Sequence, residues 1–482
     1  MKRKTKYMIG DSRIEVGYVW SWVCSVFRVY PSPITNHTSQ VLRVALLSFA
    51  LLIAATQARS QELPAQPSTP ALSPAGDEEP VGAFKKPEWV RTLGLGGFIR
   101  ADYYSASKKL NNTHSLPGLT FQPKALPKFG SWGDGKIEGR IMNEDLRRDD
   151  KPQARLLEAY GNLYFGEVDV RLGKQNIPWG RADALNPTDN LTPKDFTLLS
   201  ARDEVERRTG SWAAKVNLYR GTYTLSAIWI PIFNPTTIPI APVPGITVTE
   251  DKRNDGSWTD QGFALKLDQT GGAFDWSLSY YYGLDINPVG VPVTPSLVQL
   301  IHTRVHVIGA DFAKNFGRYG MRGEIAYQQT QNPDGSNPFI KKPNLYWVLG
   351  VDRDLTDDLN ANVQIFQRYV LSYRNPFSNP VPLQQQVAVL DATFNYQLDR
   401  FTQGISGRLR STWFNKTLEG EILGQWNTFN RSDFFLRPSL AYAFTDVWKG
   451  FVGYDIFNGK QHSFFGRLEP NTAFFAEIRA TF

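Results

Sequence analysis

The sequence predicts an all-β fold, a transmembrane antiparallel up-and-down barrel of about sixteen strands, and three observations carry that expectation. Apolar and polar residues alternate with a period of two from residue 93 onward, short turns alternate with longer polar connections, and the last segment, TAFFAEIRATF, ends on Phe482. A period of two sends successive side chains to opposite faces of a strand, so one apolar face and one polar face describe a sheet between two different surroundings.

The chain opens with a leader, residues 1–60. Its Lys2, Arg3, Lys4, Lys6, Arg13, Arg28, Arg43 and Arg59 face only Asp11 and Glu15, so most of the net charge of +7 belongs there. The remainder is nearly balanced, and no nucleic-acid partner is expected. Within the leader, VLRVALLSFALLIAATQA (Val41 to Ala58) places Arg43 before an apolar core and then small residues. This is the layout of a secretory signal peptide, with cleavage expected after Ala58 or Ser60. Its apolar run is shorter than the ~20 residues that span a bilayer as a helix. Residues 1–40 precede that signal, which points to a translation start at or near Val41. The single cysteine, Cys24, lies in this first stretch, so an exported chain has no disulfide, thiolate nucleophile or cysteine metal site. Residues 61–88 are Pro/Ala/Glu-rich without a period and read as a disordered periplasmic tether. The barrel is assigned to 89–482.

Leu157, Ala159, Leu163 and Phe165 alternate with Glu158, Tyr160, Asn162 and Tyr164; after Gly166-Glu167, Val168, Val170 and Leu172 alternate with Asp169, Arg171 and Gly173. Similar hairpins turn at Arg220-Gly221, Thr270-Gly271-Gly272, Asn315-Phe316-Gly317, Thr356-Asp357-Asp358, Asn415-Lys416-Thr417 and Thr445-Asp446-Val447. The strands run roughly 10–14 residues, longer than the ~5–6 usual in globular sheets. Between the hairpins lie the mostly longer, polar connections 108–153, 179–207, 233–258, 285–302, 331–342, 373–400, 429–431 and 459–471. Short turns on one side and loops on the other are the asymmetry of an outer-membrane barrel, with both chain ends on the periplasmic side. Ala388, Leu390, Ala392, Phe394, Tyr396 and Leu398 also alternate, but a seventeenth strand would break the even count. Residues 385–398 are therefore assigned to an external loop, helical through Val387, Leu390 and Phe394. An eighteen-stranded alternative needs one more strand inside 108–153.

In the last strand Phe474, Ala476, Ile478, Ala480 and Phe482 share one side, opposite Glu477, Arg479 and Thr481. It resembles the closing strand of Gram-negative outer-membrane proteins, and that resemblance implies recognition of Phe482 by the barrel-assembly machinery. After residue 60 no apolar run is long enough for a membrane helix, so only a closed barrel would satisfy every backbone group in lipid. Tyr103, Trp212, Trp229, Trp276, Tyr282, Trp413, Trp426 and Trp448 fall near strand ends, where interfacial rings are expected.

If the apolar side meets lipid, the other side lines a lumen. That side carries Glu158, Asp169 and Arg171 early in the chain, then Arg322 and Glu324, Arg408 and Arg410, Glu419 and Glu421, and finally Arg437 and Asp455. Opposite charges on neighbouring strands either brace the wall, at about 0.2–1 kcal/mol per pair, or set up a transverse field that selects polar solutes. The segment WGRADALNPTDNLTPKDF (Trp179 to Phe196) starts where a strand should reach the external rim. Pro178, Pro187 and Pro193 cannot donate to a ladder, which ends the pairing, while Asn186-Pro187 and Asp189 suit local turns. It carries Arg181, Asp183, Asp189 and Asp195, and its charges continue through Arg202, Asp203, Glu204, Glu206, Arg207 and Arg208. Such a loop either folds inward and narrows the channel or caps the rim.

LLEAYGNLYFGEVDVRLGKQNIPWGRADALNPTDNLTPKDF and Phe435 to Phe482 resemble the hairpin-plus-loop and closing strands of proteobacterial outer-membrane proteins broadly similar to porin-like and alginate-export-type barrels. The likeness covers most of 90–482, implies an outer-membrane location, and transfers no substrate. No cofactor, metal or catalytic residue is expected. LGLGGF (Leu93 to Phe98) lacks a third glycine and a following helix, and His302 and His306, on one face of a strand, lie too far apart to chelate one ion. The expected function is passive diffusion of small solutes, with outer-membrane lipid as surroundings and a homotrimer as one possible assembly. A substrate-specific transporter or exporter for hydrophobic or polyanionic molecules, an outer-membrane enzyme and a structural barrel are the alternatives.

Overall fold

The computed structural model of the chain describes residues 90, 92–106, 116–147, 152–183, 185–197, 204–240, 245–250, 258–428 and 431–482. The expected signal peptide and tether lie outside the described residues. Eighteen strands close into one antiparallel barrel. In order these are β1 Gly96–Tyr104, β2 Leu116–Ala125, β3 Gly133–Asn143, β4 Gln153–Phe165, β5 Val168–Gln175, β6 Ser211–Arg220, β7 Tyr223–Ile232, β9 Gly262–Gln269, β10 Asp275–Leu284, β13 Arg304–Phe316, β14 Tyr319–Thr330, β15 Asn344–Thr356, β16 Leu359–Val370, β17 Phe401–Trp413, β18 Leu418–Asn427, β19 Asp433–Ala443, β20 Trp448–Gly459 and β21 Ala473–Thr481. Each pairs with its neighbour in this order, and β1 closes the ring on β21 from Phe98 opposite Thr481 to Tyr104 opposite Phe475. Closure leaves no sheet edge. Three loop strands, β8 Thr247–Glu250, β11 Val289–Thr294 and β12 Leu297–Ile301, make a separate small sheet.

Eighteen replaces the sixteen expected. Both extra strands, β2 and β3, lie inside 108–153, where Pro117, Gly118 and Pro123 interrupt the alternation of β2 and Gly133, Gly135 and Gly139 that of β3. Proline gives up a ladder donor and glycine has no side chain to mark a face, so the period of two is weak there. Pro382–Phe394 is a helix, α1, as the even-strand rule implied. Its buried residues are Val387, Ala388, Val389, Ala392 and Thr393, while Leu390 is exposed, so of the expected face Val387 is buried and Leu390 is not.

The pleat sorts side chains as the alternation did except at local bulges, of which the one in β4 moves a residue assigned from the sequence. Glu138 pairs with Glu158 but Gly139 with Leu156, so Leu157 is the extra residue of a bulge. Leu156 therefore points outward and Leu157 is buried, correcting the outward assignment of Leu157. Elsewhere the outward face is apolar: Ile137, Leu172, Leu225, Leu265, Ile308, Val363 and Ile478 are all exposed. Phe165, Phe316, Phe414, Phe444 and Trp448 flank that band at the turn end, and Trp212, Trp229, Phe263, Phe401 and Trp426 at the loop end.

Candidate functional site

The connection between β5 and β6 is not a rim cap. Its ends are neighbours in the ring, yet its side chains reach wall strands far to both sides. Arg181 pairs with Asp311 on β13 and, at 3.2 Å, with Asp268 on β9. Asp183 accepts from Arg322 on β14 at 2.8 Å and from Asn362 on β16 at 2.5 Å. In the other direction Asp195 pairs with Arg155 on β4, and Glu206 accepts from Arg100 on β1 at 2.6 Å and from Arg479 on β21 at 2.7 Å. In ring order β13 stands opposite the β1–β21 seam. A loop anchored at both crosses the lumen.

Two features of the wall make that crossing stable. The first is an apolar seat: Ile177, Trp179 and Leu191 of the loop pack with Ala213, Ile228, Ile230, Ala264, Tyr281, Val305, Val307 and Ala326. All the wall members point inward, so these strands are apolar on both faces at that level. Removing them from water contributes about 25 cal/mol per Å² of apolar surface covered. The second is Glu324, whose side chain is buried. Its Oε1 accepts from the Ala182 amide at 2.6 Å and the Asn186 side chain at 3.1 Å. Its Oε2 accepts from the Thr188 amide at 3.3 Å and the Thr188 hydroxyl at 3.0 Å. One carboxylate thus satisfies four donors of a segment that proline has barred from a ladder.

The other sequence-derived candidates divide into groups. Glu158 pairs with Lys136 and accepts from the Asn176 amide at 2.8 Å, where β5 ends. Arg171 donates to Asn162 at 2.6 Å and lies over the Tyr160 ring, while Asp169 lies across from Tyr164 near the turn end. Asp189 sits in the loop's own turn, its amide donating to the Asn186 carbonyl at 3.2 Å. Arg410 and Lys449 share the Glu419 carboxylate at 3.0 and 3.2 Å; Glu421 stands opposite Arg410. Arg437 and Asp455 form a buried two-contact pair. Arg408 is exposed. His302 and His306 do not share a face: His302 precedes β13 and its Nδ1 lies 2.8 Å from the Asp285 carbonyl, whereas His306 points outward. Among the described residues no His/Cys/Asp/Glu group could hold a metal ion.

Missed from sequence were the partners Arg100, Arg155, Asp268, Asp311 and Asn362, which occupy polar-side positions. For Arg100, Asp268, Asp311 and Asn362 the signal was parity alone, whereas the bulge at Leu157 puts Arg155 on the opposite face from the one its parity gives. The apolar seat did leave a trace, the unbroken run Ala227-Ile228-Trp229-Ile230, where alternation fails because both faces are covered.

Glu206, one of the charges that follow Asp195 in the loop, has a side chain only 9% exposed at the seam. Burial pushes its carboxyl up, and Arg100 and Arg479 more than offset this, holding it at about 2. A folded value below the ordinary ~4.3 means that its contribution to docking is complete above that range and is lost as pH falls through the folded value. Single-channel recordings should therefore show a constant, constricted conductance from neutral down to about pH 4, with a rise only toward about pH 2. Glu206→Gln should show the raised level already at pH 7.

No family model and no curated protein matches the chain. Solved structures do. It is similar to OccK9 (OpdG) of Pseudomonas aeruginosa at 9% identity, covering 80% of this chain and 97% of that one with a TM-score of 0.47. OccAB1 of Acinetobacter baumannii is 10% identical over 80% and 95%, with a TM-score of 0.47. A BenF-like porin from Pseudomonas fluorescens Pf-5 is 8% identical over 80% and 97%, with a TM-score of 0.48. These neighbours are porin-type barrels, and they lend nothing to the alginate-export-type comparison.

Proposed function

We propose that the chain is an outer-membrane, porin-like channel for passive diffusion of small hydrophilic solutes, narrowed by the loop between β5 and β6. A closed barrel with an apolar outer band between aromatic rows is suited to lipid on its outside, and such an outer surface would be an aggregation hazard in water. The single observation that carries the channel reading concerns β17. The loop's contacts run round β1, β4, β6 to β16 and β21, filling that part of the lumen. On β17, Arg408 and Arg410 point inward and yet are exposed. Water inside the wall there is the passage, bounded by the loop on one side and by β17 to β20 on the other.

Planar-bilayer recording of the purified protein tests this directly, since stable conductance steps are expected and their absence would remove the channel reading. Arg408→Glu should also move the reversal potential in a salt gradient toward cation preference. The shift should shrink at high salt, because screening shortens from ~10 Å at 0.1 M to ~3 Å at 1 M. An unchanged potential at low salt would place the passage elsewhere.

The same reading extends to assembly. Phe482 lies outward against Phe121, its backbone N–H and C=O paired with Gly97, which is the strand end that the barrel-assembly machinery would receive before closure. A homotrimer is the proposed assembly, tested by cross-linking in native membranes.

A further inference from the structure

A polar cluster on the outside of the barrel has no place in solute passage. On β10 and β13, Tyr282 stands opposite His306 and Leu284 opposite Arg304, at the loop end of both strands. Tyr281, Val305 and Val307 belong to the inward apolar seat, so by alternation Tyr280, Tyr282, Arg304 and His306 face outward. The Tyr280 hydroxyl lies 2.8 Å from His306 Nδ1, and the Tyr282 ring is centred 4.7 Å from the imidazole. The Arg304 guanidinium sits 5.1 Å over Tyr282 and donates at 3.5 Å to the Gln261 carbonyl. Among the described residues it makes no salt bridge. Immediately toward the turn end the outward surface is Ile308, Leu278 and Leu265, all more than half exposed.

We propose that this cluster binds the phosphate-bearing headgroup of an outer-leaflet glycolipid. The inference rests on the membrane reading above. A guanidinium facing hydrocarbon without a counter-ion is costly, but at the level where the apolar band gives way to the loops an anionic headgroup supplies the partner. Guanidinium donors match phosphate oxygens in a two-contact geometry, and the imidazole and the two phenol groups add hydrogen-bonding positions beside it. The rings are of the kind that settle at the headgroup level. Free phosphate offers the same oxygens, but only a lipid also covers Ile308, Leu278 and Leu265.

The test uses the full barrel in detergent, with native mass spectrometry reading retained diphosphoryl lipid A, its dephosphorylated form and inorganic phosphate as competitor. Wild type should retain the phosphorylated lipid about tenfold better than the dephosphorylated one. Arg304→Gln/His306→Gln should lose that preference while its conductance steps stay as in wild type. Equal retention of both lipids by wild type would overturn the proposal, as would full retention by the variant or displacement by millimolar inorganic phosphate. Should the double variant not fold, Arg304→Gln alone and the wild-type preference still decide. A wild-type barrel that keeps the lipid but never conducts would instead sink the channel reading and leave this site standing.

Discussion

Replacing Glu324 with alanine raises the unitary conductance of the reconstituted barrel and makes its open level noisy. The four donors that meet on this carboxylate come from Ala182, Asn186 and Thr188, and hydrogen bonds to a charged group are worth about 1.5–3 kcal/mol each in net terms. Not all of that is lost, because a freed loop can reach water. A local destabilisation of about 3 kcal/mol is enough to multiply the undocked population more than a hundredfold. Glu324→Gln should fall between, since its amide keeps one acceptor and turns a donor toward the Thr188 or Ala182 amide. Gly180→Ala should act in the same direction by a different route. Gly180 has φ +94°, in the left-handed region, and a Cβ there would overlap the Glu324 carboxylate. Asp183→Asn, which weakens the contact to Arg322, should change conductance less, because the apolar seat and Glu324 stay in place. A folded Glu324→Ala barrel with wild-type conductance and noise would show that the loop does not narrow the pore.

Arg437→Ala is expected to be the most destabilising single change in the wall. Arg437 meets Asp455 through Nε at 2.5 Å and Nη2 at 2.9 Å, with the two side chains 4% and 0% exposed. The β19–β20 ladder passes from Leu436–Ile456 to Ser439–Gly453, skipping the neighbourhood of Pro438, which has no N–H to give. The ion pair thus ties the two strands together where the backbone does not. Removing only the guanidinium leaves a buried carboxylate uncompensated, at a cost of about 3–5 kcal/mol. Arg437→Met/Asp455→Leu should return to within about 1–2 kcal/mol of wild type, since a well-packed apolar pair often replaces a buried ion pair. Urea unfolding in detergent, read by loss of the compact form on unheated gels, measures both. A single variant as stable as wild type would contradict this account.

The parts of the fold readable in advance were those governed by one face meeting one environment. Phe165, Leu172 and Ile478 were placed outward, and Glu324, Arg410 and Glu477 inward, from alternation alone. The legible signal failed where two environments were wrong or missing. Gly133, Gly135 and Pro117 hid β2 and β3. The bulge at Leu157 slipped the pattern by one residue, a local event that hydrophobicity cannot announce. Ile228 and Val307 are apolar on the inward face because another segment rather than water covers them there. The partners of the inward candidates were not predictable, because Arg181 to Asp311 and Glu206 to Arg479 join residues far apart in the chain.

By itself, then, the order of residues determined an antiparallel barrel, its wet and greasy faces, its short-turn and long-loop ends and the non-strand character of Trp179 to Phe196. Those properties follow from local geometry, the two-residue pleat and the absent amide of proline. Tertiary structure alone decided that the loop crosses the lumen, that Glu324 is a fastening rather than a lining charge, and that Arg408 and Arg410 on β17 stay exposed. Closure of the ring sets which distant strands face each other, and that choice is written in no single stretch of chain.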